Sequence, residues 1–462
     1  MTSRLDAKRI AAEVAVDNFP DARLTKRLET IMLAVGKDPS ASLPKALTSA
    51  ELEGAYRFFS NPRVTLDSIL SPHFEATKAR VAAEARVRVI HDATEFSYRA
   101  DGERQGLGNR AYQGFSGHFS LVVTADESRK PLGLAGLHTW VRDGSQKETE
   151  QSYWLKQIRR TEQMLDCGTK AIHICDRGAE DFALFGALLA DDHRFVARVG
   201  NRFAELGDAP LRLRDVLATV EHVDERKAKI NRRSRHSSEK LRKIHPPRDA
   251  RMIQLHLAAA TIALPRPAVN AKTRSRLEHL PQALTINAVR VWEPSPPDGA
   301  DPVEWFLFTN EPIATPEDVR AIVDHYRARW RIEEYFKALK TGCAFERRQL
   351  HDYDSLLNAL GVFAPLAYHI LLLRSEARAK PDAPASTVAT NDQLQVLRGL
   401  GRRKLPEHPT ARDVLLAIAA LGGHIAYAPD PGWLTIARGY EQLDAFVLGW
   451  QLAKLQSDSD QR

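Results

Sequence analysis

Cysteine is scarce. The chain has three, Cys167, Cys175 and Cys343, and none share Cys-x-x-Cys spacing. An odd, scattered set argues against a disulfide framework and against a structural zinc site, and it fits a reducing cytoplasm. Long apolar runs are missing too. The opening stretch MTSRLDAKRIAAEVAVDNF has no uninterrupted apolar core and does not read as a signal peptide. No stretch approaches the roughly 20 apolar residues needed to span a bilayer, so no membrane partner is expected. The run AYHILLLR at 367–374 is short, ends in a charge, and reads as a buried helix segment. Internal repeats and long low-complexity tracts are also lacking.

What is present is an ordinary globular composition with a basic tilt. Hydrophobic residues make up 43% and charged residues 27% of 462, too long a chain for one core, so two or three domains are expected. A net charge of +7 and a pI near 9.2 lean towards a polyanionic partner, although many basic proteins never touch nucleic acid.

Residues 1–75 read as a small helical domain, with helical spacing in KRIAAEVAVDNF, DARLTKRLETIMLAVG and SAELEGAYRFFSNP. Ser49 with Glu53 supplies a start signal for the last of these, and Asn61-Pro62 a stop. From about 85 the pattern becomes α/β. ARVRVIHDATEFSY reads as a strand ending near Asp92 with a second soon after. GHFSLVVTADESRKPLGLAGLHTWVR reads as two strands joined by a turn at Glu127–Pro131. A helix at TEQMLDCG, a short strand AIHICD finishing on Asp176, a helix at GAEDFALFGALLADD and a strand RFVARVG follow. This order suits an α/β core with a mixed sheet. Residues 205–312, with a basic run at 226–251 and alternating segments such as MIQLHLAAATIAL, TINAVRVWE and EWFLFT, read as an inserted β-rich subdomain. A helix over 318–340 follows, capped at Thr315-Pro316-Glu317, with more helix to about 378. KPDAPASTVATND reads as a polar linker. The catalytic unit is thus placed at 76–385 and a helical tail at 386–462, with a turn at Ala428–Trp433.

Two acids stand at strand ends, Asp92 and Asp176, at the mouth where open α/β sheets bind ligands. Either alone could simply cap the turn that follows it. On the helix over 318–340, Tyr326, Arg329, Glu333 and Lys340 are offset by 3, 7 and 14 residues, close to whole turns, and share one face. A solvated helix with i, i+4 ion pairs is the plain alternative, but Trp330, Ile332, Tyr335, Phe336 and Leu339 leave little of it free. Together, two strand-end aspartates and a helix glutamate suit a pair of hard divalent cations about 4 Å apart. Such a pair stabilises both the attacking and the departing oxygen of a phosphodiester. His91 has no second histidine at ligand spacing and reads as structural.

The spacing Tyr326-x2-Arg329-x3-Glu333-x6-Lys340 resembles the Y-R-E-K signature of the DDE transposases of cut-and-paste bacterial insertion sequences, in the IS-four superfamily. EGAYRFFSNP, VIHDATEFSY, ICDRGAED, RFVAR, EWFLFTNEP, YRARWRIEEYFKALKTG and ALGGHIAYAPDPGW carry the same likeness in order along nearly the whole chain. The resemblance implies an RNase H-like catalytic core with a mixed sheet and a β-rich insertion, flanked by helical N- and C-terminal domains. It implies a catalytic triad of Asp92, Asp176 and Glu333 holding two Mg²⁺ ions, with Mn²⁺ able to substitute. It also implies phosphate contacts from Tyr326, Arg329 and Lys340, and base stacking by Trp305 when a hairpin end forms. Arg198 would lie near the transferred strand, and Arg27 and Arg57 would contact the ends. The expected partners are double-stranded DNA bearing transposon-end inverted repeats, target DNA, and a second copy of the chain, in a bacterial cytoplasm at the nucleoid. Gly178 departs from the family pattern, where Glu is frequent. Two other readings stay open: a catalytically inactive DNA-binding inhibitor, and an RNase H-like nuclease that cuts without joining.

Overall fold

The computed structural model describes residues 7–460 apart from 15–18, 99–103, 110–112, 142–149, 166–169, 206–209, 234–237, 240–241, 243–245, 271–272, 301 and 426–430. Cys167, the middle of the basic run and the first half of the turn at Ala428–Trp433 therefore lie outside the described residues.

The N-terminal helices run Ala7–Val14, Ala22–Lys37, Leu43–Ala46, Ser49–Phe59 and Leu66–Ala82. Thr48, not Ser49, caps the fourth, because its hydroxyl and the Glu51 carboxylate close a reciprocal capping box three residues apart. Glu53, one turn further on, pairs with Arg57 instead.

The strands are β1 (Arg86–Tyr98), β2 (Gly108–Asn109), β3 (Gln113–Thr124), β4 (Pro131–Trp140), β5 (Lys170–Cys175) and β6 (Arg194–Val199). They continue as β7 (Phe203–Glu205), β8 (Pro210–Arg212), β9 (Asp224–Ile230), β10 (Arg251–Pro265), β11 (Ala283–Trp292) and β12 (Glu304–Thr309). β4, β3 and β1 form an antiparallel meander, and β5 and then β6 add in parallel to β1. This is the RNase H-like order. Helices Glu150–Met164 and Phe182–Ala190 make the crossovers that parallel pairing demands.

One strand expectation is corrected. β1 is one strand of 13 residues rather than two. Its pairing with β3 runs unbroken from Val87 to Tyr98, while its pairing with β5 stops at His91. Asp92 therefore lies within a strand, at the point where the sheet ends on one side only. The expected β-rich insertion is present and continuous with the core sheet. β12 pairs with β6, and β11, β10, β9 and β7–β8 prolong the same 12-stranded sheet.

The helix Tyr353–Ala379 runs through the core. The expectation that no stretch approaches a membrane span is corrected here, since by length and composition Tyr353–Glu376 could cross a membrane, although 83% of its most apolar window is buried inside the protein. Its Asn358 amide donates to the carbonyls of Phe59 and Val64, tying the N-terminal helices to it. The segment read as a linker is packed. Ala385, Val388 and Ala389 are buried in a cluster with helices Asn391–Leu400, Ala411–Leu421 and Trp433–Asp460. Small apolar residues spaced three and four apart let it fold onto that surface.

The expected helix over 318–340 is three consecutive pieces: Pro316–Arg327, Trp330–Lys337 and a wide π turn at Ala338–Gly342. Thr315 caps the first with a capping box to Asp318. At Ala328 and Arg329 the backbone tightens to i→i−3 bonds, Arg329 N–H to Tyr326 C=O at 3.0 Å and Ile332 N–H to Arg329 C=O at 3.1 Å. A tightening there and a widening after Lys337 interrupt the regular helix; Arg329 still reaches Glu333 four residues on, while Lys340 donates to the Glu95 carbonyl.

Candidate active site

The parallel register between β1 and β5 pairs His91 with Cys175. Asp92 and Asp176 are each the next residue, so they stand at the same level, Asp92 within β1 and Asp176 just past the end of β5, where adjacent strands lie about 4.8 Å apart. Asp176 also caps the following turn, its Oδ1 accepting from the Gly178 N–H at 2.8 Å. The capping role that was the plain alternative is real, and it fixes the carboxylate. A Cβ on residue 178 would sit 3.0 Å from that same oxygen, which rationalises glycine there.

Asp92 accepts from the Ala93 N–H at 2.9 Å and, through its other oxygen, from the Arg329 guanidinium at 3.1 Å. The same guanidinium donates to Glu333 Oε1 at 2.5 Å. Arg329 thus joins the strand acid to the helix acid. The Asp92 carboxyl is pushed up to about 7, first by burial and next by the charge of Asp176, with Glu333 adding to the effect and Arg329 opposing it. Arg329 is held above its ordinary value. Burial alone would lower it, but Tyr326, Asp92 and Glu333 together outweigh burial.

Arg329 also meets Tyr326, a second signature residue. Tyr326 is buried, its hydroxyl raised by burial and drawn back by Arg329 and Arg198. Its ring lies 5.3 Å from that of Trp305 on β12. Leu307 on β12 pairs with Arg198 on β6, so the insertion's last strand brings Trp305 and Arg198 to the same place. Lys340 stands further along β1, donating to the Glu95 carbonyl, 3.5 Å from Glu346 and over the Phe96 ring. Arg27 and Arg57 are not part of this group. They line a groove of about 290 Å³ between helices Ala22–Lys37 and Ser49–Phe59.

Two features were not found from sequence. Below Asp92, His91 Nε2 meets His173 Nδ1 at 2.8 Å, His91 Nδ1 meets the Ser120 hydroxyl at 3.1 Å, and Gln157 donates to that hydroxyl at 2.9 Å. Burial holds His91 far below its ordinary value, so it is neutral and positions the strand, as its structural reading requires. The alternation in AIHIC was the available signal. Second, a cleft of about 540 Å³ begins one residue after Asp176, lined by Arg177, Arg202, Arg212 and Arg266. Arg212 lies 4.1 Å over the half-exposed ring of Phe203. These arginines are scattered along the chain, and only the strand order unites them.

The donor set fits hard divalent cations. Three carboxylates share one partly buried site, and Asp92, raised first by burial and then by the charge of Asp176, is a carboxyl whose ionised form a cation would stabilise. The acids are not drawn tightly together. Among the described residues, the trio of ligand atoms all within 4.8 Å of one another is elsewhere, at His222, Glu225 and His256. At the acids, Arg329 stands between Asp92 and Glu333.

A transposase DNA-binding family model matches residues 7–64, and a transposase DDE domain model matches residues 84–364. A cryo-EM structure of a piggyBac transposase synaptic complex with hairpin DNA aligns with 92% of this chain and 86% of that one, at 10% identity. Its TM-score of 0.32 carries no argument. The DDE match alone spans more than half of the chain, which is therefore a member of the DDE transposase family.

Proposed function

We propose that this protein is a cut-and-paste transposase that nicks transposon ends, forms and resolves hairpin ends, and transfers the freed 3′-OH strand into target DNA. Residues 1–75 bind end DNA, 76–385 carry out catalysis, and 386–462 mediate dimerisation. The observation that carries this reading is the geometry of the acids: Asp92 and Asp176 side by side on adjacent strands, with the Arg329 guanidinium bridging Asp92 to Glu333. A buried carboxylate cluster that is electrostatically unfavourable when empty is suited to binding cations.

Asp92, Asp176 and Glu333 would hold two Mg²⁺ or Mn²⁺ ions, which supply Lewis-acid stabilisation of the attacking and leaving oxygens. Arg329, released from the acids, anchors a phosphate together with Tyr326 and Lys340. Trp305, partly buried beside Tyr326, stacks the base that must leave the helix when the hairpin bends, and Arg198 holds the strand next to it. The arginine-lined cleft after Asp176 and the basic run at 226–251 add sequence-neutral affinity. Arg27 and Arg57 read the ends. The last helix leaves Phe446, Leu448 and Leu452 exposed, a surface suited to a second copy in a synaptic dimer at the bacterial nucleoid.

Purified protein incubated with inverted-repeat DNA and Mg²⁺ should yield hairpinned ends on a denaturing gel, and Asp92→Asn should abolish them. Binding without any cleavage would support the inactive inhibitor. Cleavage without hairpins or joined product would support the nuclease.

A further inference from the structure

The second half of the sheet carries a metal-ligand set remote in sequence from the acids. Glu225 on β9 pairs directly across from His256 on β10, and His222 precedes β9 by two residues. Glu225 Oε1 lies 3.3 Å from His222 Nε2 and 3.2 Å from His256 Nε2. The two imidazoles are stacked with centroids 4.2 Å apart. Three donor atoms at a tetrahedral ion with bonds of roughly 2.0–2.1 Å stand about 3.3–3.4 Å from one another, close to these spacings. The other carboxylate oxygen accepts from the Gln254 amide at 2.7 Å, which fixes the acid as outer partners of metal ligands do. His256 is steadied by the Trp292 ring, 5.4 Å away.

We propose that His222, Glu225 and His256 bind one Zn²⁺-class ion, with a fourth position open to water. Two imidazoles and one carboxylate suit Zn²⁺ over Mg²⁺, so this site is chemically distinct from the all-carboxylate one. Its ligands join the loop before β9 to the β9–β10 hairpin. That hairpin's inner face is already pinned by Asp224–Arg320 and Arg226–Asp324 ion pairs. The ion therefore clamps the outer face at the base of the hairpin whose far end carries the basic run.

The test uses the full chain with Asp92→Asn, to weaken the acid site, freed of metal by a chelator and titrated with Zn²⁺ against a chromophoric competitor. Co²⁺ absorption reports the coordination number. Uptake of one equivalent with a four-coordinate Co²⁺ spectrum is expected. Affinity should fall at least tenfold in His222→Ala or His256→Ala, and tenfold to a hundredfold in Gln254→Ala. Hydrogen exchange across 222–260 should slow on adding Zn²⁺ only where the ligands are intact. Because His222 is in an exposed loop, its variant folds and keeps the test decisive. No uptake, or equal uptake by the folded His222→Ala variant, overturns the proposal.

Discussion

Asp92→Asn should stabilise the metal-free protein in mildly alkaline solution while destroying activity. The Asp92 carboxyl titrates at about 7 in the folded chain against an ordinary 3.8, because burial and Asp176 disfavour its charge. The folded state therefore holds a proton that the unfolded chain has released. Stability falls as pH rises from the ordinary value through about 7 and is flat above that. A shift of about 3 units at roughly 1.36 kcal/mol each amounts to about 4 kcal/mol of lost stability by pH 8. The Asp92 side chain is only 15% exposed, so solvent screening removes little of it. Asparagine keeps the shape and still offers an oxygen to Arg329, but it has no proton to lose. Urea unfolding in a chelator at pH 4 and pH 8 measures the effect. The variant should gain on wild type by up to about 4 kcal/mol between the two, and Mg²⁺ should close that gap by stabilising wild type alone. A variant less stable than wild type at pH 8, or a difference independent of pH, would refute the electrostatic account of the site.

Arg329→Ala should raise Mn²⁺ affinity in the absence of DNA by roughly tenfold or more, since two charge-assisted hydrogen bonds, each about 1.5 kcal/mol, no longer compete for Asp92 and Glu333; calorimetry reads the affinity, and a DNA cleavage assay should show activity falling all the same. Trp305→Ala should leave the first nick close to its normal rate and lower hairpin formation by one to two orders of magnitude, taking a stacked base at about 1–3 kcal/mol; quantifying both products on one denaturing gel separates the steps. Leu448→Asp with Leu452→Asp should leave single-end binding intact and abolish the paired-end complex on a native gel, because both residues are more than half exposed in the isolated chain.

The parts of this molecule legible in the sequence are those whose cause is local. The strand of AIHICD, the turn between β3 and β4, the cap at Thr315 and the buried character of AYHILLLR all follow from neighbours a few residues away. The errors lie where distant partners decide. VIHDATEFSY contains nothing that shows β3 pairing along its whole length, so one strand looked like two. The segment 380–392 is polar on average, and only the receiving surface of three later helices makes its small apolar residues a packing face. The wide turn at Ala338–Gly342 has no breaker residue to mark its start. For the site, the types and spacing of Asp92, Asp176 and Glu333 were readable, while the arginine-lined cleft required the strand order.

What sequence could not supply was the state of the site. Tyr326, Arg329 and Glu333 were expected along one helix face, with Arg329 directed at DNA. A continuous helix would place Arg329 and Glu333 one turn apart, and their ion pair would be an ordinary surface contact worth little. Here the tightened turn at Ala328–Arg329 carries the guanidinium inward, where it meets Asp92 from a strand 237 residues earlier. The same side chain can therefore neutralise the acids when the site is empty of cations and hold phosphate once they are loaded, provided the two uses exclude each other. The DNA-free metal affinity of Arg329→Ala tests that exclusivity directly: no change in affinity would mean that the guanidinium and the cations do not compete for the same carboxylates.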